Sequence, residues 1–319
     1  MIVNAPTSTE LNDVALRLYF SAWSSLIGIW SDFARSYEGF GPGNEPPWEE
    51  EWQDYLATAQ AEMQSIFSLV QHSNELALKA MICEVSPYLL LIGNDLKLSV
   101  NPVLDLQFSD FRTIDAVDLP AAVNNFCRRK LSPQFVQTYN DVRAFRNKFV
   151  HLGHSDRRFD PFELLHSLIA LYAELWPQRR WLEDRVGFAS QERRAFFEDG
   201  KHFSILSEIM YEQEYNLEIF TKSEFKIAFG EEKSKRRYFC FDCLDGATTG
   251  WSSFGDAAKT AFIPTDNRNT LGCAMCSEIF KVARVPCTHD GCKGDVLGDN
   301  EDDNDGRCHT CGEHTDSIE

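Results

Sequence analysis

The chain is poor in positive charge: 31 Lys and Arg stand against 49 Asp and Glu over 319 residues, a net charge of -18. A surface of that sign repels the phosphate backbone at long range and excludes a protein that coats nucleic acid indiscriminately. Long apolar runs are missing as well. The longest, Leu18 to Trp30 and Met81 to Gly93, fall short of the roughly 20 residues that a bilayer span needs, so no membrane partner is expected. Met1 to Glu10 carries no basic stretch ahead of an apolar one, and the expectation is a soluble, unexported, cytoplasmic protein. Cysteine is scarce until late, with only Cys83 and Cys127 before residue 240. Core-forming residues are plentiful, at 43% hydrophobic and 13% aromatic, which excludes a disordered chain and one that needs disulfide staples. The length suggests two folded units.

From Glu10 to Gly230 apolar residues recur at helical spacing, without strand alternation, and the fold is predicted to be mainly α. A first amphipathic helix spans about Glu10 to Tyr37 and stops at a Gly- and Pro-rich stretch, 38–47, whose glycines follow no strand and so form a loop and not a phosphate cradle. Pro47 opens a second helix, with Glu49, Glu50 and Glu51 where the helix dipole favours acids, and it runs to about Cys83 ahead of Ser86-Pro87. Residues 94–131 read as irregular. Ser132 caps and Pro133 opens a helix that ends at Gly153. Asp160-Pro161, with Glu163 as a capping-box acid, opens Phe162 to Trp176. Helical stretches at about Gln178 to Glu198 and Phe203 to Phe229 follow. Beyond Gly230 the segments are short and rich in Gly, Asp and Thr, so a helical domain is expected over 1–230 and a second, with little α or β structure, over 231–319. Residues 240–319 hold too few apolar side chains for a core of their own, and metal is expected to hold them.

The remaining eight cysteines supply the metal's ligands. They fall in four knuckles, Cys240-x-x-Cys243, Cys273-x-x-Cys276, Cys287-x4-Cys292 and Cys308-x-x-Cys311. Reduced, clustered thiols signal metal before disulfides. Zinc takes four such ligands in a closed tetrahedral site, so four knuckles predict two structural zinc ions per chain. The simplest pairing is sequential: Cys240, Cys243, Cys273 and Cys276 on one ion, Cys287, Cys292, Cys308 and Cys311 on the other. Interleaved pairing stays open, as does His314 in place of Cys311, while His289 and His309 are spare. Two catalytic look-alikes fail. Cys311-Gly-Glu313 resembles a deaminase triplet but no Pro-Cys-x-x-Cys follows, and Asp299 to Gly306 resembles a calcium loop, but Glu313 falls one place beyond the twelfth ligand position counted from Glu301.

One basic island interrupts the acidic chain. Ala121 to Arg158 holds eight bases (Arg128, Arg129, Lys130, Arg143, Arg146, Lys148, Arg157, Arg158) against two acids, Asp141 and Asp156. A solvated helix face accounts for such a run as well as a phosphate-binding patch does. Within it lies Arg146-Asn147-Lys-Phe-Val-His151. A bare Arg-x4-6-His arises by chance about once in such a chain, and requiring a polar residue after the arginine at this spacing lowers that to roughly a tenth or less. Val142, Phe145, Phe149 and Leu152 make the buried face, and Arg143, Asn147 and His151 form a stripe at i, i+4, i+8 on another side. His154, past the Gly153 stop, reads as a surface residue.

The helix bearing Gln71-His-Ser-Asn-Glu75-Leu-Ala-Leu-Lys79, the Ser86-Pro-Tyr-Leu-Leu continuation and the Arg146-Asn147-x-x-x-His151 helix together resemble the HEPN superfamily, over about residues 60–175. The Arg-polar-x3-His motif is that family's catalytic signature. The resemblance implies a helical bundle, here with an added N-terminal helix and a tandem zinc ribbon outside the basic bundle. It also implies a homodimer that cuts RNA without metal at a shared cleft, often as a toxin or antiviral-defence effector, although non-catalytic members occur. His151 would act as base or acid, Arg146 would hold the phosphate and Asn147 would orient phosphate or histidine. Arg143, Lys148, Arg128, Arg129 and Lys130 would contact RNA.

The chemistry suits these residue types. RNA carries its own nucleophile in the 2'-OH, so cleavage needs a base, an acid for the departing 5'-oxygen and a cation for the phosphorane. Histidine titrates near neutrality and serves both proton roles. Five residues at about 100° each place Arg146 and His151 roughly 140° apart around the helix axis, and a two-fold axis would bring two of each to one cleft. A rival reading is a non-catalytic dimer whose ribbons bind a regulatory protein, since ten bases stand against seventeen acids from Glu231 onward. A zinc-ribbon DNA-binding regulator ranks last for the same charge reason.

Overall fold

The computed structural model describes residues 1–41, 46–91, 105–152, 160–199, 201–250, 252–299 and 306–315, with backbone alone for 149–152. No helix among them is long and apolar enough to cross a membrane. The chain divides into two compact units, Met1–Pro177 and Gln178–Glu319.

The first unit is built on an antiparallel hairpin of two long helices, α1 (Ser8–Glu38) and α2 (Trp48–Val85). α1 starts earlier than its apolar periodicity predicts because Thr7 and Glu10 form a capping box: the Glu10 amide donates to Thr7 Oγ1 at 3.2 Å and the Thr7 amide donates to Glu10 Oε2 at 3.0 Å. The hairpin zips through Ala15, Tyr19, Trp23 and Leu26 on α1 against Met63, Ile66, Val70 and Ala77 on α2, all buried, and near its tip Trp30 packs on Trp48 and Trp52. A 3-10 turn over Pro87–Leu91 follows α2, as Ser86-Pro87 predicts. Part of the stretch read as irregular is regular: β2 (Leu106–Gln107) pairs in parallel with β1 (Ile2–Val3), and α3 spans Leu119–Phe126 with a proline in its first turn.

α4 (Pro133–Leu152) begins where Ser132 predicts, with the Phe135 amide donating to Ser132 Oγ at 3.1 Å. Gly153, its expected stop, lies outside the described residues. Phe135, Tyr139 and Val142 form its buried stripe, and α2, α4 and α5 (Pro161–Leu175) pack together. At the start of α5 the Asp160 carboxylate accepts from the Phe162 amide at 2.8 Å.

The second unit starts well before the expected boundary at 230/231. α6 (Trp181–Ala189), α7 (Ile205–Ile219) and α8 (Lys222–Phe229) belong with the cysteine segment, which adds α9 (Phe241–Ala247) and an antiparallel sheet in the order β3 (Ala261–Phe262), β4 (Thr270–Cys273), β5 (Ile279–Ala283) and β6 (Leu297–Gly298). The reason is apolar burial. Trp181 packs on Phe220, and Phe225 and Phe229 meet Phe262 with ring centroids 6.3 Å apart. The cysteine segment is therefore not held by metal alone, as the sparse composition of 240–319 suggests, because preceding helices lend it a core.

The two helical stretches expected between 178 and 229 are each broken. Ser190 and Gln191 side chains turn back to the carbonyls of Val186 and Gly187 and end α6. Thr221 and Glu224 form a second capping box that starts α8 anew. Lys233 donates to the carbonyls of Leu217 and Phe220 at the end of α7, at 2.8 and 2.5 Å.

Candidate functional site

Eight thiols gather into two groups, Cys240, Cys243, Cys273, Cys276 and Cys287, Cys292, Cys308, Cys311, with the sulfurs of each group within 4.8 Å of one another. The pairing is sequential. In the first group Cys240 is the N-cap of α9 and Cys243 lies in its first turn, while Cys273 ends β4 and Cys276 sits in the turn to β5. In the second, Cys287 and Cys292 lie on an irregular loop, and Cys308 bridges to Leu297 of β6.

The spacing tests whether these groups fit a metal. A tetrahedral ion bound at about 2.3 Å by four thiolates sets its sulfurs about 3.8 Å apart. Cys240 and Cys276 are separated by 3.7 Å, Cys243 and Cys273 by 3.8 Å, Cys287 and Cys311 by 3.8 Å, and Cys292 and Cys308 by 3.9 Å. Disulfides, at about 2.05 Å, are excluded by that geometry, and four thiolates in a tetrahedron fit zinc or an iron–sulfur centre.

The surroundings prepare the sulfurs for negative charge. The Met275 amide donates to Cys273 Sγ at 3.3 Å, Thr260 Oγ1 lies 3.3 Å from the same sulfur, the Gly294 amide donates to Cys292 Sγ at 3.3 Å and the Thr310 amide to Cys308 Sγ at 3.4 Å. Such outer contacts orient ligands and tune their donor strength. Two knuckles need a left-handed residue just after the second cysteine, and it is Gly312 in one (φ 87°) and Ser277 in the other (φ 66°). Ser277 is held by its hydroxyl, which donates to Glu183 Oε2 and accepts from Arg180 Nη1, both at 2.8 Å.

The spare histidines stay outside both tetrads. His309 is 2% exposed, its Nδ1 lies 2.7 Å from the Phe239 carbonyl and so carries the hydrogen, and burial pushes its pKa down. His289 and His314 are exposed. Residues 300–305 of the acidic loop lie outside the described residues.

The second candidate site is the polar side of α4. Arg146 Nη1 donates to Asn147 Oδ1 at 3.1 Å, and both side chains are half-buried. His151 occupies the last turn of α4, but its side chain, His154, Arg157 and Arg158 lie outside what is described. Tyr139 brings α2 and α4 together. It lies beside Gln71, Glu75 and Arg143, and its hydroxyl donates to the Ala116 carbonyl at 2.7 Å. Burial, reinforced by the Glu75 carboxylate, pushes that phenol well above its ordinary range. Gln71 Nε2 donates to Glu75 Oε1 at 3.0 Å. Gln71 Oε1, Asn74 Nδ2 and Arg143 Nε are buried without a hydrogen-bond partner among the described residues, an uncommon cost for a protein interior.

The expected RNA-contacting bases do not act alike. Arg129 donates to the carbonyls of Glu174 and Leu175 at 2.6 and 2.9 Å and caps α5, and Lys130 donates to the carbonyls of Asn124 and Cys127 and caps α3. Both have structural duties that the charge count hides. Arg128 and Lys148 are exposed, the latter 5.9 Å over the Phe145 ring, and Arg143 is half-buried. Sequence reasoning missed Gln71 and Asn74, polar residues on a helix face that reads as core. It also missed Thr260, Gly294 and Ser277, of which the last two have a legible signal in their distance from a cysteine. No family model, curated protein or solved structure matches the chain.

Proposed function

We propose that the first unit is a HEPN-like ribonuclease module and that the second is a two-zinc module that recognises RNA or a protein partner. Two observations on α4 support the first part: Arg146 donates to its neighbour Asn147, and Arg143, with Gln71 and Asn74 of α2, keeps a buried polar atom unpaired among the described residues. Unpaired buried polar groups are costly, and a phosphodiester would satisfy the donors among them. In this reading Arg146 and Arg143 hold the phosphate, Asn147 orients Arg146, and His151 moves the proton of the 2'-OH or of the leaving 5'-oxygen. A homodimer supplies the second set of groups, and the 2'-OH attack leaves a 2',3'-cyclic phosphate. Zinc, when bound, supplies fixed tetrahedral cross-links to the second unit, while the chain's own thiolates and amides orient it.

A specific observation favours a second reading. With Arg129 and Lys130 engaged as helix caps, the basic island contracts, which suits a non-catalytic dimer that binds a protein through its zinc module. Incubating total RNA with wild type and with His151→Ala separates the two. The nuclease reading expects cleavage that survives brief EDTA treatment, falls by about 10²- to 10⁴-fold in the variant and spares DNA. Equal cleavage by both proteins, or none by either, sinks it.

A further inference from the structure

The two tetracysteine groups differ in how the fold protects them. In the first, Cys240, Cys243 and Cys273 are 0%, 2% and 3% exposed. Cys240 caps α9, Cys243 lies in its first turn and Cys273 ends β4, so moving any of them disturbs a helix or the centre of the sheet. Cys273 is further pinned by Thr260 and by the Met275 amide. In the second, only Cys308 is buried, and Cys287, Cys292 and Cys311 are half-exposed. No helix or strand covers residues 284–296, which carry two of its ligands. The loop is closed mainly by its own backbone, with the Cys287 amide donating to the Gly294 carbonyl at 2.9 Å and the Cys292 amide to the His289 carbonyl at 3.1 Å.

Local opening is easiest where buried apolar contacts are few and backbone bonds are exposed. A ligand on such a segment can leave the metal, take up a proton and return without cost to the core. In the first group only Cys276, half-exposed in the turn to β5, has such a route, whereas freeing Cys243 or Cys273 unwinds α9 or splits β4 from β3. Arg307 and His309 join the second group to the first: the Arg307 guanidinium donates to the Asp245 carboxylate at 2.8 and 3.0 Å and stacks 4.0 Å over Phe241, and the His309 ring lies 4.4 Å from that of Phe241.

We propose that the two centres are functionally unequal: the first is a permanent structural site, and the second, Cys287, Cys292, Cys308 and Cys311, is an exchangeable site for a thiophilic divalent cation, through which metal supply reshapes the 284–296 loop. The inference rests on the reading that both groups hold zinc. Exchange needs neither oxidant nor reductant, because the cation leaves as such while the freed thiolates are protonated.

The test uses the full-length chain purified without chelator. Total metal is measured first, and the protein is then mixed under native conditions with the chromogenic chelator 4-(2-pyridylazo)resorcinol. About one equivalent should leave quickly and the other at least about tenfold more slowly, as local and sub-global opening differ. In the wild-type chain, pulse alkylation with N-ethylmaleimide in that chelator should mark Cys287, Cys292 and Cys311 before Cys240, Cys243 and Cys273, a readout that needs no variant to fold. Cys292→Ser should abolish the fast equivalent and keep the slow one. A single rate for both equivalents, or earlier alkylation of the first group, overturns the inference and leaves the two-zinc reading standing. A total well below two equivalents even after equilibration with excess zinc and desalting overturns the two-zinc reading itself.

Discussion

Cys243 and Cys273, thirty positions apart in the chain, hold their sulfurs 3.8 Å apart across the start of α9 and the end of β4. That is a tetrahedron's edge and nearly twice a disulfide bond. With Cys240 and Cys276 it binds a helix to a hairpin, and the tetrad of Cys287, Cys292, Cys308 and Cys311 repeats the device in a loop. Metal analysis of protein purified without chelator should therefore return about two zinc equivalents per chain. A return near zero, or titration of all ten cysteines in native buffer, contradicts the assignment.

Gly294 tests the second tetrad without touching a ligand. A Cβ there would lie 2.6 Å from both Cβ and Oγ1 of Thr310 and 2.9 Å from Cys308 Sγ, and its amide and carbonyl serve Cys292 and Cys287. Gly294→Ala should cost about 1–3 kcal/mol, as overpacking does, and lower zinc content toward one equivalent with the first tetrad intact. Unchanged metal content and thermal midpoint would show that Thr310 moves aside freely.

Ser277 pairs a strained backbone with a useful hydroxyl. The left-handed conformation at φ 66° costs a residue with a Cβ roughly 1–2 kcal/mol, and the bonds to Glu183 and Arg180 offset part of it. Ser277→Ala keeps the strain and loses the bonds, whereas Ser277→Gly loses both. The glycine variant should be the more stable of the two by about 1 kcal/mol in denaturant unfolding. The reverse order would mean that the knuckle relaxes away from the positive φ.

The second unit also buries an ion pair, Arg185 with Glu212 at 2.7 Å, the side chains 7% and 6% exposed. Removing one partner strands the other in the core, so Glu212→Ala should destabilise this unit by about 3–5 kcal/mol. The exposed i,i+4 pair of Arg17 with Asp13 is a control, because Asp13→Ala should cost under about 1 kcal/mol. Hydrogen exchange localises the loss, which should fall on α6, α7 and their neighbours and spare α1 and α2. Equal effects of the two substitutions would mean that the buried pair is hydrated.

Local punctuation was legible in the one-dimensional chain because it acts over a few residues. Ser132-Pro133 and Asp160-Pro161 start helices where they stand, Ser86-Pro87 ends one, and eight cysteines in four knuckles announce two tetrahedral sites. Thr7 and Glu10, and again Thr221 and Glu224, carry the same kind of signal as capping boxes and set ends that apolar periodicity alone misplaces by a few residues or runs through.

Tertiary structure decided what depends on distant partners. Gly230 looks like a boundary because composition changes there, yet Phe225 and Phe229 reach forward to Phe262 and carry α6 to α8 into the cysteine unit, since buried apolar area and not local composition delimits a folding unit. Arg129 counts as free charge in a sum over residues, but a carbonyl 45 positions away claims it. Knuckle spacing allowed sequential and interleaved pairing alike; the sheet order settled it, by setting Cys273 beside the helix that bears Cys243. A sequence determines which groups are available and the turns they force on their neighbours, whereas the pairing of groups far apart follows from which surfaces leave water together.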